Sequence, residues 1–529
     1  MATISVWVWR AGLARYSVML GVLLAVICGV LVRDSLAQGA KPEEKHITVG
    51  WYPSHPYQYL HMRHGTESLT GLDIELTRKI FERRGYTVNF VASSWVQIQK
   101  DLRDGKIDMA LGAYDIALRQ EYALFSDPYR TETDSAFFQS GAEIAHNSSS
   151  FAQLVENIAT RNGQIGILDG YSYGAKVDDA LAGLPGDRVI RYENVEKALQ
   201  NLADGRIDAL LSDQLFVEAA LIRDGYGDLV DRHSLPVFAG AVHAIFAKKT
   251  VDPSVVEDFN AELNVLQKDG EYTAIQNAFI SPIRFGIALS GIWFTALDYL
   301  GTVAFAISGV LLARREKYSI FGAFVLAALP GVGGGVVRDL ITGREPIGIM
   351  QAPNGVLLVI ATVLMGYLTY FVIDRFGIGA PAGDANDTND TIARPVARTG
   401  WRRIMTVGNV VEISDAVGLA AFTVTGVYVA VTMNSTPILL WGPILAMLTG
   451  AGGGIIRDVV RADKHNPALK TSFYAEIPLL WGFTLSFFFW RHGPLAEISD
   501  IFFAVIITVI GAFVTRMVVL GLGLRSPRF

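Results

Sequence analysis

The chain has 529 residues, 51% of them hydrophobic, with a mean hydropathy of +0.33 and a formal net charge of -6. That hydropathy is too high for a wholly soluble protein, and an acidic balance with no basic run excludes a nucleic-acid-binding surface. Cys28 is the single cysteine, which excludes an internal disulfide framework and leaves no thiol chemistry to build on.

In chain order, the first element is an export signal. Arg10 and Arg15 precede an apolar stretch at 18–32, and Ser35-Leu36-Ala37 offers small residues for cleavage before Gln38. Residues 1–37 therefore read as a signal peptide, or else as an uncleaved signal anchor. Either way the segment that follows is exported.

From Lys41 to about Pro282 the charges are scattered as in a globular domain, and residues 45–280 alternate short apolar strands with amphipathic helices. Strands are expected at 46–52, 87–92, 106–114, 164–170 and 206–213, with helices at 72–85, 96–103 and 195–205. Such alternation predicts an α/β domain of parallel sheets covered by helices. Ligands in these sheets sit beyond the carboxyl ends of the strands, which brings Tyr52, Ala113–Asp115, Gly170–Tyr173 and Asp213 around one cleft. No paired-acid motif points to catalysis, and G-x-x-x-x-G-K-[ST] does not occur. We expect a protein that is not an enzyme and that carries no cofactor and no metal.

The remainder is a series of apolar spans at 291–312, 319–337, 355–373, 411–431, 437–456, 473–490 and 501–520, most of them near the ~20 residues a membrane helix needs. With the N-terminal domain outside, Arg314, Arg315, Lys317, Arg375, Arg394, Arg398, Arg402, Arg403, Arg461, Lys464 and Lys470 fall on the cytoplasmic side. Arg338, Arg344 and Arg491 are the exceptions. A Gly-, Asp-, Asn- and Pro-rich linker at 377–406 separates repeat 1 (291–376) from repeat 2 (407–490), and a last helix occupies 500–522.

The repeats are visible residue by residue. PGVGGGVVRD at 330–339 returns as TGAGGGIIRD at 449–458, and DYLGTVAFAISGV at 298–310 returns as DAVGLAAFTVTGV at 415–427. The copies begin three spans apart, so they face opposite ways across the membrane. Inverted repeats commonly frame a transport pathway with broken helices near the midplane. Gly333, Gly334, Gly335, Gly452, Gly453 and Gly454 are the natural breaks, or alternatively close-packing points between helices. Arg338-Asp339 and Arg457-Asp458 either ion-pair at the two mouths or anchor the helix ends. Asp298 and Asp415, inside the starts of the first and fourth spans, call for a partner.

Two resemblances follow from these motifs. GLDIELTRKIFERRG at 71–85, SSWVQIQKDLRDGKIDMALG at 93–112, RQEYALFSDPY at 119–129 and LQKDGEYTAIQNAF at 266–279 resemble the periplasmic polar-amino-acid solute-binding proteins. That resemblance implies two α/β lobes that close on a ligand like a hinge. It makes Trp95 the aromatic stacked on the ligand and His55 or Tyr57 the opposite wall. Arg119 becomes the carboxylate grip, Asp213 the ammonium acceptor and Ser172 a hydroxyl donor, with Tyr114 beside them. The chain departs from the family at Ala113–Ile116, where hydroxyls are missing and Asp115 stands near the carboxylate position. The paired GGGxxRD motifs and their lead-ins are similar to the tandem glycine-transporter domain, which is related to the trimeric intracellular cation channels. This implies seven helices in a homotrimer with a pathway through the glycine-kinked second and fifth spans.

The sequence thus predicts a multi-pass inner-membrane protein with a periplasmic amino-acid-binding domain. It either carries its ligand across, gates a monovalent cation channel, or acts as a solute sensor. The partners expected are a small amino-acid-like ligand, membrane lipid and two further copies of the chain.

Overall fold

The computed structural model describes residues 45–63, 66–227, 229–231, 235–376, 407–461 and 473–526. The signal segment, Cys28, the 377–406 linker, Lys464 and Lys470 lie outside the described residues.

In the N-terminal domain, β1 (Lys45–Trp51) is followed by a hairpin, β2 (Tyr59–Arg63) and β3 (Thr66–Thr70). Then come β4 (Tyr86–Ala92), β5 (Met109–Tyr114), β6 (Ala123–Phe125), β7 (Arg130–Phe137), β8 (Ile165–Leu168), β9 (Val189–Tyr192), β10 (Ala209–Asp213) and β11 (Leu235–Ala247). The main sheet runs β4-β1-β5-β11-β7-β10-β8-β9. Its two ends are parallel, as the alternation predicts, and the middle is antiparallel. β11 pairs with β5 through Val242–Phe246 and with β7 through Leu235–Val242, while β7 passes on to β10 through Asp134–Phe137. These two strands therefore cross from one lobe to the other and form the hinge.

Each lobe has its own core. Phe81 is 1% exposed and packs edge-on against Tyr86 and tilted against Phe259. The helix Pro253–Asp269 is thereby held to the first lobe. Val195, Leu199, Leu202, Leu210 and Phe216 fill the second lobe.

Beyond the lobes, the stretch SPIRFGIAL is a helix, Ser281–Leu289, and not merely a junction. Both of its sides are engaged. Phe285 lies tilted against Phe489 (4.3 Å) and meets Tyr428 edge-on (5.3 Å), and Arg284 Nη1 donates to the carbonyls of Pro494 (3.0 Å) and Ala496 (2.9 Å). Its Gly286 lies against Ile222 of the lobe-two helix Gln214–Asp224, where an added Cβ would stand 3.2 Å from Ile222 Cδ1. One short helix thus touches the second lobe and the membrane domain together.

Among the described residues six helices are long and apolar enough to cross a membrane: Ile292–Arg315, Ile320–Thr342, Asn354–Phe376, Asn409–Thr432, Ile438–Val460 and Ile498–Leu522. The sixth expected span is a shorter helix, Glu476–His492, of 17 residues. The leading helices of the two repeats pack face to face. Gly301 meets Ala421 and Gly418 meets Phe305, at distances that leave no room for a Cβ. The second helix of each repeat widens by one π turn, at Leu329–Gly333 and Leu448–Gly452. Such bulges are a known cause of kinks.

Candidate functional site

The cleft between the lobes is shut by direct bonds. Trp95 Nε1 (3.0 Å), Gln99 Nε2 (3.3 Å) and Arg119 Nη2 (3.3 Å) all donate to the Gly170 carbonyl, which the second lobe presents from a left-handed turn. Ser94 caps the helix that positions Trp95 and Gln99. Trp95 packs against Tyr52 (5.3 Å) and Tyr171 (6.4 Å). Tyr52 and Tyr171, not His55, are therefore its aromatic companions. His55 lies tilted against Tyr59 instead (4.2 Å), where burial and the nearby Arg223 push its imidazole down to about 4.

Arg119 is 3% exposed and donates to neutral oxygens: Gln99 Oε1, Tyr114 O and Gly170 O. Burial lowers its proton affinity. Among the described residues no carboxylate bonds this guanidinium, and a buried guanidinium so placed is matched to an incoming anion. Asp115, which threatened that match, is exposed and accepts from Gln120 Nε2 instead.

Acids gather on the floor of the hinge. Arg130, Glu132 and Asp134 alternate along β7, so all three face the same way. Arg130 sits between Asp73 (3.0 Å) and Glu132, and lies over the Tyr57 ring at 3.6 Å. Among the described residues Asp134 accepts from the Tyr114 hydroxyl alone (2.9 Å). Asp213 accepts from the Tyr57 hydroxyl across the lobes (3.0 Å) and also caps the helix Gln214–Asp224 through Phe216 N (2.9 Å). Burial raises the carboxyls of Asp134 and Asp213, and that of Glu132 to about 7. One guanidinium does not balance four carboxylates, so this floor is suited to positive charge. Ser172 donates to Asp178 (2.6 Å) at the second-lobe edge. The sequence reading brought together Tyr57, Trp95, Tyr114, Arg119 and Asp213 but missed Asp73, Gln99, Arg130, Glu132 and Asp134. The i, i+2, i+4 spacing of charges in RTETDSAF was the available signal.

In the membrane domain the π-widened helices cross where Gly334 meets Gly453. A Cβ on Gly334 would lie 2.6 Å from Thr449 O, and one on Gly453 2.2 Å from Leu329 O. Gly454 is held against Tyr474 in the same way. Gly333, Gly335 and Gly452 have no neighbour closer than 3.6 Å. Packing therefore accounts for Gly334, Gly453 and Gly454, and the other three keep open backbone beside the crossing.

The two ends of this crossing differ. On the far side from the binding domain, Arg457 grips Asp415 with both terminal nitrogens (3.1 and 3.2 Å), Ser308 Oγ at 2.9 Å and Asp458 at 3.0 Å. All of these groups are buried and bonded to one another. On the near side, among the described residues, Arg338 holds Asp339 alone (2.9 Å), whose other oxygen accepts from Gly348 N at 2.8 Å. A cavity of about 210 Å³ opens there, lined by Asp298, Thr302, Arg338, Asp339, Asn354 and Thr425 among others. Among the described residues no group of three or more His, Cys, Asp or Glu is placed to hold a metal ion.

Two family models match the chain. Bacterial extracellular solute-binding proteins, family 3, cover residues 47–282, and Glycine transporter covers 295–375 and 412–491. The UPF0126 inner membrane protein YadS of Escherichia coli K12 is 30% identical over 186 residues, which is 35% of this chain and 74% of YadS. A UPF0126 membrane protein of Vibrio cholerae is 30% identical over 35% of this chain, which spans 64% of that relative's length. The probable histidine-binding protein of Neisseria gonorrhoeae is 22% identical over 47% of this chain and 87% of its own.

Proposed function

The chain belongs to the UPF0126 family of membrane proteins and joins that domain to an extracellular amino-acid-binding domain, and from that premise we propose that it is a bacterial inner-membrane amino-acid transporter. The binding domain lies outside, takes the ligand carboxylate at Arg119 and receives its positive charge on the acids of the hinge floor. A basic amino acid suits that surplus, and the similarity to a probable histidine-binding protein supports the class. The repeat domain then moves the ligand across, without catalysis. The observation that carries transport over free conduction is the unequal pair of mouths. One is sealed by Arg457 and Asp415 while the other opens into a cavity. Alternating access requires that inequality, whereas steady conduction requires both ends open.

A second reading, a ligand-gated cation channel, is favoured by one observation: the helix Ser281–Leu289 ties the second lobe to the membrane helices with little slack. Full-length protein in liposomes separates the two when uptake of labelled histidine and arginine is followed alongside membrane current. Saturable uptake that Arg119→Ala abolishes is the expected result. Ligand-dependent cation current without uptake would establish the channel instead.

A further inference from the structure

The two repeats hold the same residues in two different arrangements. In the sealed mouth Arg457 keeps Nε on its neighbour Asp458 and turns its terminal nitrogens to Asp415 and Ser308. In the open mouth Arg338 keeps Nε on its neighbour Asp339 in the same way. The residues that stand to Arg338 as Asp415 and Ser308 stand to Arg457 are Asp298 and Thr425. They occupy the matching places in DYLGTVAFAISGV and DAVGLAAFTVTGV. Arg338 bonds neither of them: its second contact falls on Asp339 again, at 2.8 Å. Among the described residues nothing else donates to the Asp298 carboxylate, and Thr425 Oγ1 is buried without a hydrogen-bond partner.

Both of these groups line the cavity, and the other polar groups around them are committed. Thr302 donates to the Asp298 backbone carbonyl (3.0 Å), Asn354 to the Tyr299 hydroxyl (2.9 Å) and Thr449 to the Leu445 carbonyl (2.6 Å). Arg344 approaches Asp339 (3.9 Å) rather than Asp298. A carboxylate and a hydroxyl left bare at membrane depth are disfavoured unless something fills them. The sealed mouth identifies the filler by chemistry, because there it is a cation.

We propose that the open mouth is a binding site for a small cationic group, an ammonium or an alkali ion, with the Asp298 carboxylate and the Thr425 hydroxyl as its acceptors. Arg338 is the internal cation that takes both acceptors over when this mouth closes. Ligand and guanidinium compete for the same two groups, so closure and occupancy of the mouth exclude one another. This deepens the transport reading and rests on it for the closing step. Arg338 acts here as a positioning residue.

The test is equilibrium binding of radiolabelled rubidium and, separately, of labelled methylammonium to full-length protein in nanodiscs. One probe is expected to saturate. Asp298→Asn weakens it about tenfold or more and Thr425→Val several-fold, whereas Arg338→Gln tightens it several-fold by removing the competitor. A purely structural role for Arg338 would not produce that gain. Saturation by rubidium identifies an alkali-ion site; saturation by methylammonium alone identifies the ammonium of an organic substrate. No saturable binding of either probe, or an affinity that Asp298→Asn leaves unmoved, overturns the site. Should Asp298→Asn fail to fold, Thr425→Val and Arg338→Gln decide, and an affinity unmoved in both overturns it. Uptake by liposomes carrying the same variants keeps the two readings apart. Asp298-dependent binding with no uptake preserves the site and removes transport, while uptake indifferent to Asp298→Asn and Thr425→Val does the reverse.

Discussion

Arg119 in the cleft and Arg457 in the membrane are about equally buried, at 3% and 4% exposure, yet their surroundings are opposite. Arg119 faces three neutral oxygens, and Arg457 is surrounded by Asp415, Asp458 and Ser308. A charge that its own chain leaves uncompensated marks where a ligand supplies the counter-charge. A charge that is compensated locally marks machinery, which gains from being able to exchange one internal partner for another. The hinge acids repeat the first pattern with the sign reversed, because Arg130 is shared between Asp73 and Glu132 while Asp134 and Asp213 have only hydroxyl and backbone donors.

The sharpest way to break this comparison is at Arg119. Arg119→Ala should weaken binding of histidine or arginine to the full-length protein by about a thousandfold, or about 4 kcal/mol, because the buried guanidinium proposed to grip the ligand carboxylate is then gone. Arg119→Lys should recover little, since a single ammonium cannot offer the fork. Titration calorimetry reads both variants, and an unchanged affinity would place the carboxylate elsewhere. Next come the two membrane aspartates. Asp415→Asn strips the terminal nitrogens of Arg457 of their charge partner and should cost about 3 kcal/mol of stability. That is the low end for a broken buried pair, because Asp458 still holds Nε. Asp298→Asn removes a carboxylate with no bond to lose and should stay within about 1 kcal/mol. Thermal melts of the two variants in one detergent compare them directly. Equal losses would erase the asymmetry between the mouths.

The parts of this architecture that depend on periodicity were legible in the sequence. The parallel strands, the apolar spans and the duplicated GGGxxRD motif follow from alternation, hydropathy and repetition alone. Charged residues buried by tertiary contact were not. Nothing in RTETDSAF says that Arg130, Glu132 and Asp134 are buried, and it is the pairing of β7 with both β10 and β11 that buries them. Ser281–Leu289 follows the binding domain directly in sequence, and nine residues of chain do not reveal that a lobe and a bundle press on them from two sides. The unequal mouths were beyond reach for a different reason. The two copies of the motif carry the same charged residues, so nothing in their sequence says which copy is closed.

A smaller effect separates the glycines that pack from those that leave backbone bare. Gly453→Ala drives a methyl into Leu329 O and to within 2.9 Å of Pro330 Cα, both backbone atoms that cannot swing away. It should cost about 1–3 kcal/mol. Gly452, one residue earlier, has φ -58° and nothing nearer than 4.0 Å, so Gly452→Ala should be neutral or stabilise its helix by up to about 1 kcal/mol. The sign of the difference is the prediction, read from melting temperatures. A stable Gly452→Ala protein that no longer takes up amino acid would show that this glycine serves the pathway rather than the packing.

The smallest effect expected is a pH dependence that belongs to the hinge floor. Glu132 titrates near 7 in the folded protein because burial disfavours its charged form, against an ordinary value of 4.5. Between those values the folded chain keeps a proton that the unfolded chain has released. The stability this proton contributes is therefore whole below about pH 4.5 and is lost as the pH rises through about 7. His55, held down to about 4, acts in the other direction, and stability is lost there as the pH falls from about 6.5. The two must be separated by substitution. Glu132→Gln should narrow the drop in melting temperature between pH 5 and pH 8 by a few degrees. A cationic ligand should narrow it as well in the parent protein, since it stabilises the ionised carboxylates and expels their protons on binding. If Glu132→Gln leaves the pH 5 to pH 8 difference as it was, the hinge acids are balanced within the fold, and the ligand's positive charge must be received elsewhere.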